Sequence, residues 1–207
     1  MWFLEISKFF NTESINEINK FIDDSYDKRL ENQDLGSTRE NGTVVKNISS
    51  VRPIPYGRIK HLIGGLIDEA YQSVNLDFGF LTFPQTDSQY CNFNIYDSNS
   101  KDSYDWHCDE SDSSTYDIKC TLLINLSTES FEGGKFQLFP STESIDMTSL
   151  SEPGSAVMFK SHILHRVLPV TSGTRKTLTV FIYGPKFTWV TTYLKIIYRR
   201  LITPKRT

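Results

Sequence analysis

Little in this 207-residue sequence belongs to a secreted or membrane-spanning protein. Its three cysteines, Cys91, Cys108 and Cys120, are odd in number and show no CxxC spacing, which argues against a disulfide framework and a zinc ribbon and favours a reducing compartment. No segment approaches the roughly 20 consecutive apolar residues that a helix needs to cross a bilayer. The opening MWFLEISKFF lacks a basic leader and a long apolar run, and Glu5 interrupts it, so it does not read as a signal peptide. The cytoplasm is the expected location. Internal repeats and low-complexity tracts are also lacking. With 38% hydrophobic and 23% charged residues, the composition is that of an ordinary globular domain and excludes wholesale disorder.

Acidic residues are missing from one end. Lys186 to Thr207 holds six Lys and Arg and no Asp or Glu, so the net charge of -3 conceals an acidic body of 16 basic against 25 acidic residues. The expectation is a basic terminal helix from Trp189 to Leu201. Val190, Tyr193, Leu194, Ile197 and Leu201 would form one stripe, packed on its own domain or on a second subunit in a homodimer. An anchor on anionic lipid is the competing reading.

What is present divides into a helical and a β-rich part. Thr12 is a candidate N-cap for a helix with Ile15, Ile18, Phe21 and Ile22 on one face. Residues 27 to 43 turn polar around Asn41-Gly42. From Arg58 to Val74, the residues Ile59, Leu62, Ile63, Leu66, Ile67, Ala70, Tyr71 and Val74 follow helical spacing. After Asn75 short aromatic and β-branched runs alternate with turn-forming clusters. Strands are expected at 78 to 83, 90 to 96, 104 to 109, 118 to 126, 135 to 139, 155 to 160, 164 to 170 and 175 to 183. The predicted fold is α+β, mainly β: a double-stranded β-helix, or jelly roll, over residues 77–187. A helical buttress would occupy 1–76 and a short basic helix 188–207.

The chemistry concentrates in three of these strands. In His107-Cys108-Asp109 an imidazole and a carboxylate lie two residues apart, a spacing that places both on one face of a strand, where they can share a metal. The third ligand is either His162 or His165. His165 is preferred because Arg175 and Thr177 follow it, and an antiparallel return across Thr171 to Thr174 brings all three toward one cavity. His61 falls on the polar side of its helix. Two neutral imidazoles and one carboxylate with open positions opposite match the facial triad of non-haem Fe(II) oxygenases. A 2-oxoacid co-substrate then needs a donor for its far carboxylate, and the guanidinium of Arg175 offers two parallel charge-assisted hydrogen bonds, with the Thr177 hydroxyl beside it.

These residues sit in a longer ordered pattern. Tyr96 and Tyr104 precede Trp106-His107-Cys108-Asp109, and the strand Cys120 to Leu126 leads to Phe131-Glu-Gly-Gly-Lys-Phe136. Pro153-Gly154 precedes another strand, and Leu164-His165-Arg-Val-Leu-Pro-Val is followed by Gly173-Thr-Arg175. In this the chain resembles the prolyl 4-hydroxylase-like branch of the 2-oxoglutarate/Fe(II) oxygenases, well over residues 85 to 185 and more loosely before them. The resemblance implies iron held by His107, Asp109 and His165, and 2-oxoglutarate held by Arg175 with Tyr96 and Thr177. It also implies O2 as oxidant and ascorbate as a reductant. Asn125 stands where several prolyl hydroxylases have an inward tyrosine, and it is carried as a co-substrate contact on that correspondence. Asp97-Ser98-Asn99-Ser100 departs from the glycine common in that loop. Asp109 counts against the halogenase relatives, which replace this carboxylate.

The resemblance implies hydroxylation of a substrate C–H bond, peptidyl proline being the first expectation and a small molecule an alternative, with no indication of nucleic acid. Two rivals remain at this level: a zinc hydrolase using the same three ligands, and a jelly-roll binding module that keeps the site without turnover. Acidic loops carrying Asp102, Asp105, Glu110, Asp112 and Asp117 are expected around the site, favouring a basic or neutral substrate.

Overall fold

The computed structural model describes residues 1–32, 39–40, 43–44, 46–111 and 113–186. In chain order the elements are β1 (Phe3–Ile6), α1 (Thr12–Ser25), β2 (Arg39–Glu40), β3 (Thr43–Val44), β4 (Lys46–Asn47), β5 (Ser50–Pro55) and α2 (Tyr56–Ser73). They continue with β6 (Tyr90–Asp97), β7 (Ser103–His107), β8 (Tyr116–Asn125), β9 (Glu132–Gly133), β10 (Phe136–Phe139) and β11 (Ile145–Asp146). The series ends with β12 (Ala156–Lys160), β13 (Leu164–Val167), β14 (Val170–Ser172) and β15 (Thr174–Pro185). A six-stranded antiparallel sheet runs β1-β12-β8-β15-β6-β5, and a five-stranded sheet runs β11-β10-β13-β7-β4. The chain is therefore mainly β, with the antiparallel sheets of a jelly roll.

Both faces of the large sheet are covered, and strand alternation decides what each face meets. Cys120, Leu122 and Ile124 of β8 and Leu178, Val180 and Ile182 of β15 pack against Ile15, Ile18 and Ile22 of α1 and Ile59, Ile63 and Ile67 of α2. The intervening residues, Thr121 and Leu123 of β8 and Arg175, Thr179 and Phe181 of β15, face a cavity between the two sheets. Helical spacing in α1 and α2 thus supplies one layer, and period-two spacing in the strands supplies the other two.

Several sequence expectations shift. The cap of α1 is Asn11, whose side chain accepts from the Ser14 amide at 2.8 Å, and Thr12 is the first helical residue. α2 begins at Tyr56 and runs into a π-helical turn, Val74–Phe78, closed by Gly79 at φ 68°. The strand expected at 78 to 83 does not form. Phe78 belongs to that turn, and only an isolated rung, Phe83 N–H to Tyr183 O at 2.8 Å, joins the following segment to β15. Conversely, β1 and β5 form the two edges of the large sheet, so residues 1–76 contribute strands as well as helices. β5 contains Pro53 and Pro55, which an edge tolerates because one side of the strand has no ladder to break. The terminal helix expected from Trp189 to Leu201, the homodimer through it, the Asn41-Gly42 turn and Asp112 lie outside the described residues.

Asp102 requires a correction. It is fully buried, not a solvated loop charge, and accepts hydrogen bonds from the amides of Ser49 at 2.7 Å and Asp97 at 2.8 Å and from the Ser49 hydroxyl. Its carboxylate pins the loop before β7 to the approach of β5, so it adds nothing to an acidic rim.

Candidate metal centre

His107 closes β7 and His165 lies on β13, directly opposite it in the antiparallel register. Asp109 lies two residues beyond the end of β7, so strand alternation does not place it. Its position comes from a hydrogen bond of its amide to Ser161 O at 3.0 Å, just before β13. Their candidate ligand atoms all fall within 4.8 Å of one another. His107 Nε2 is 3.9 Å from Asp109 Oδ1, and His165 Nε2 is 3.5 Å from Asp109 Oδ2. His162 is exposed and outside the cluster; its carbonyl accepts from the Cys108 thiol at 3.2 Å. His61 is exposed on α2, with its ring against Phe21.

The imidazoles are oriented by their far nitrogens. Nδ1 of His107 lies 2.7 Å from Asp105 O and Nδ1 of His165 lies 2.9 Å from Ile163 O. Carbonyls accept only, so each Nδ1 carries the proton and each Nε2 presents a lone pair toward Asp109. Burial lowers the pKa of both histidines to about 4 and raises that of Asp109. The Thr121 hydroxyl donates to Asp109 Oδ2 at 2.6 Å and opposes the rise. Two neutral nitrogens and one largely buried carboxylate are a donor set suited to a divalent cation with open positions.

The same cavity, about 350 Å³, contains Arg175. Its side chain is 1% exposed, and both terminal nitrogens are buried with no hydrogen-bond partner among the described residues. Burial lowers its pKa, and the ring of Tyr96 lies 5.2 Å from the guanidinium carbon. A desolvated guanidinium with unused donors fits a carboxylate arriving from outside the protein. Thr177 Oγ1 is likewise buried without a partner, two residues along β15. Gly134, at φ 57°, leaves the arginine room, since a Cβ there would stand 3.0 Å from Arg175 Cδ.

The structure brings together His107, Asp109, His165, Arg175 and Tyr96 around one cavity, whereas Thr177, fully buried two residues beyond Arg175 along β15, is not among its lining residues. Asn125 is not among the lining residues. Its amide donates to Leu150 O at 2.8 Å and accepts from the Ser127 amide at 2.9 Å, which makes it a brace of the chain after β8. Sequence reasoning missed Thr121, although the period-two pattern of β8 puts it on the inward face with Leu123. It also missed the polar wall of Asn92, Asn94 and Thr179, in which Asn94 donates to Thr179 Oγ1 at 3.0 Å.

Fold and site together define a jelly roll with a His-Asp-His cluster and a buried, unpaired arginine in its inter-sheet cavity. Residues 91–183 match the sequence model of the 2OG-Fe(II) oxygenase superfamily, a span that includes every residue of that cluster and the arginine. A PKHD-type hydroxylase of Colwellia psychrerythraea is 38% identical over 66 residues. That match covers 32% of this chain and only 28% of the relative's length. Among solved structures, the fold is similar to a Pseudomonas putida prolyl-4-hydroxylase (TM-score 0.61, 16% identity, 87% of this chain and 91% of that one). It is also similar to the viral collagen prolyl hydroxylase of Paramecium Bursaria Chlorella virus-1 (0.64, 15%, 89% and 97%). A Trichoplax adhaerens prolyl hydroxylase, solved with a hypoxia inducible factor peptide, is a third (0.62, 16%, 98% and 87%). The resemblance legible in the sequence is thus met by the superfamily pattern, by a curated relative and by the fold.

Proposed function

We propose that the protein is an Fe(II)- and 2-oxoglutarate-dependent dioxygenase that hydroxylates a substrate C–H bond and releases succinate and CO2. The observation that supports this most strongly is the pairing, in one cavity, of a three-donor cluster with the unpartnered guanidinium of Arg175. A zinc hydrolase would use the cluster and leave the cost of burying Arg175 unexplained.

In this reading His107, Asp109 and His165 hold Fe(II), and Arg175 receives the distal carboxylate of 2-oxoglutarate. The Tyr96 ring lies beside the arginine, and Thr177, two residues along β15, offers a buried hydroxyl with no hydrogen-bond partner among the described residues. Bound Fe(II) and 2-oxoglutarate, with O2, supply the oxidative chemistry, and ascorbate serves as reductant. The chain's residues arrange it. Asp105 and Ile163 carbonyls keep each Nδ1 protonated and each Nε2 free to donate, Thr121 fixes the rotamer of Asp109, and the apolar walls of Phe136, Phe159 and Leu123 limit water.

For the substrate we favour a polypeptide, hydroxylated at proline in the first instance, on the analogy of the prolyl hydroxylases with the same fold. A cytoplasmic setting accords with three free cysteines and with the lack, among the described residues, of a helix long and apolar enough to cross a membrane. The test is succinate release on adding Fe(II), 2-oxoglutarate and O2, followed by mass spectrometry of peptide pools for a gain of one oxygen. If 2-oxoglutarate neither binds nor turns over while Zn²⁺ supports hydrolysis, the reading is wrong.

A further inference from the structure

We propose that Tyr104 is a positioning residue for the metal centre, its ring stacked on His107 to hold that imidazole in its ligating attitude and to favour the metal-bound state. The inference rests on the reading of His107 as a metal ligand.

In a regular strand Tyr104 and His107, three apart, would point to opposite faces. The register prevents that. His165 pairs with His107 and Val167 pairs with Tyr104, so three steps along β7 oppose two along β13, and a β-bulge lies between. The extra residue turns both rings into the same cavity. They meet face to face, centroids 3.5 Å apart and planes 17° from parallel. The ring of His165 lies 4.0 Å from that of His107, and the Nδ1 bond to Asp105 O fixes the third direction. Tyr104 therefore limits the sideways swing of an imidazole otherwise held by one hydrogen bond and the neighbouring His165 ring.

The stack also distinguishes the two states of the site. A tyrosine face is electron-rich, and an imidazole bound to a dication is electron-poor, so their attraction grows when the metal binds. Lys46, paired with Tyr104 across β4 and β7, holds its ammonium 5.2 Å from the same ring and draws on the same electron density. Tyr104 is partly buried, lines the cavity and also packs against the second apolar cluster, so the stack and the packing are separated by the variants below.

The test uses Co²⁺ as the probe, titrated into metal-free protein and followed by its visible absorption. Tyr104→Leu should weaken Co²⁺ binding by about tenfold, the lower end of what losing an outer partner of a metal-binding histidine costs, and should alter the Co²⁺ spectrum. Tyr104→Phe, which keeps the stack, should match the wild type in both. Tyr104→Val takes the place of the leucine variant if that variant does not fold. Equal Co²⁺ affinity and spectra in wild type, leucine and phenylalanine forms would overturn the inference, as would a lower melting temperature with unchanged Co²⁺ affinity, which marks a purely structural role. Failure of the wild type itself to bind Co²⁺ or Fe²⁺ would overturn the underlying reading of the site.

Discussion

The hydroxyl of Thr121 on β8 donates to Asp109 Oδ2 at 2.6 Å, so the large sheet holds the one carboxylate of a cluster whose two imidazoles belong to the small sheet. Without that bond the buried carboxylate would lose a fixed donor and gain rotamer freedom. Thr121→Val preserves shape and β-branching while deleting the hydroxyl. It should weaken metal affinity by about tenfold, leaving the far-UV circular dichroism unchanged. Isothermal titration with Co²⁺ or Mn²⁺ measures this, and an unaltered affinity would remove Thr121 from the site.

Arg175 is predicted to trade stability for binding. Truncating one side of a buried, hydrogen-bonded charge pair costs on the order of 2 to 5 kcal/mol, so Arg175→Met should raise the Kd for 2-oxoglutarate about 30- to 5,000-fold. In the protein without co-substrate, the same change replaces a desolvated charge lacking hydrogen-bond partners among the described residues by an apolar chain of similar reach, and the melting temperature should rise. Fluorescence titration of the Mn²⁺-loaded protein and a thermal melt give the two halves. An unchanged Kd would assign the guanidinium to another task.

The third ligand is tested by a pair of variants. His165→Ala should abolish 2-oxoglutarate turnover, because the residue is within the cluster and 4% exposed. His162→Ala should retain it, since the structure leaves that side chain exposed on a turn, outside the cluster. Succinate release with each variant decides; activity in the first and loss in the second would reverse the assignment.

The order of these elements was legible where one local rule acts alone. Period-two runs located β8, β10, β12 and β15 to within two residues, and the return of β15 after Gly173, at φ 71°, follows from the turn residues. Legibility failed where partners distant in sequence decide. Asp102 looks like a loop charge until Ser49 is seen to donate to it. β5 is obscured by two prolines that matter only in the interior of a sheet. Tyr104 and His107 share a face only because of a bulge, and a bulge is visible in the pairing of two strands, never in one.

The last prediction concerns acid. Both cluster imidazoles have a folded pKa of about 4, below the ordinary 6.5, and burial is the main cause. A histidine whose pKa is depressed by folding is bound by more protons in the unfolded chain than in the native one at intermediate pH. Its neutrality therefore costs the native state nothing above about 6.5, and stability falls as the pH drops through the window from 6.5 toward 4. Metal-free wild type should lose melting temperature across that window. His107→Gln/His165→Gln should lose less, because the carboxylates that also titrate are common to both proteins and only the imidazoles differ. A bound divalent metal should shift the wild-type loss to lower pH, since protons must then displace the ion to charge the rings. Thermal melts at half-unit pH steps, with and without Zn²⁺, supply the three curves. Coincidence of the wild-type and double-variant curves would show that the imidazoles are not held neutral by burial.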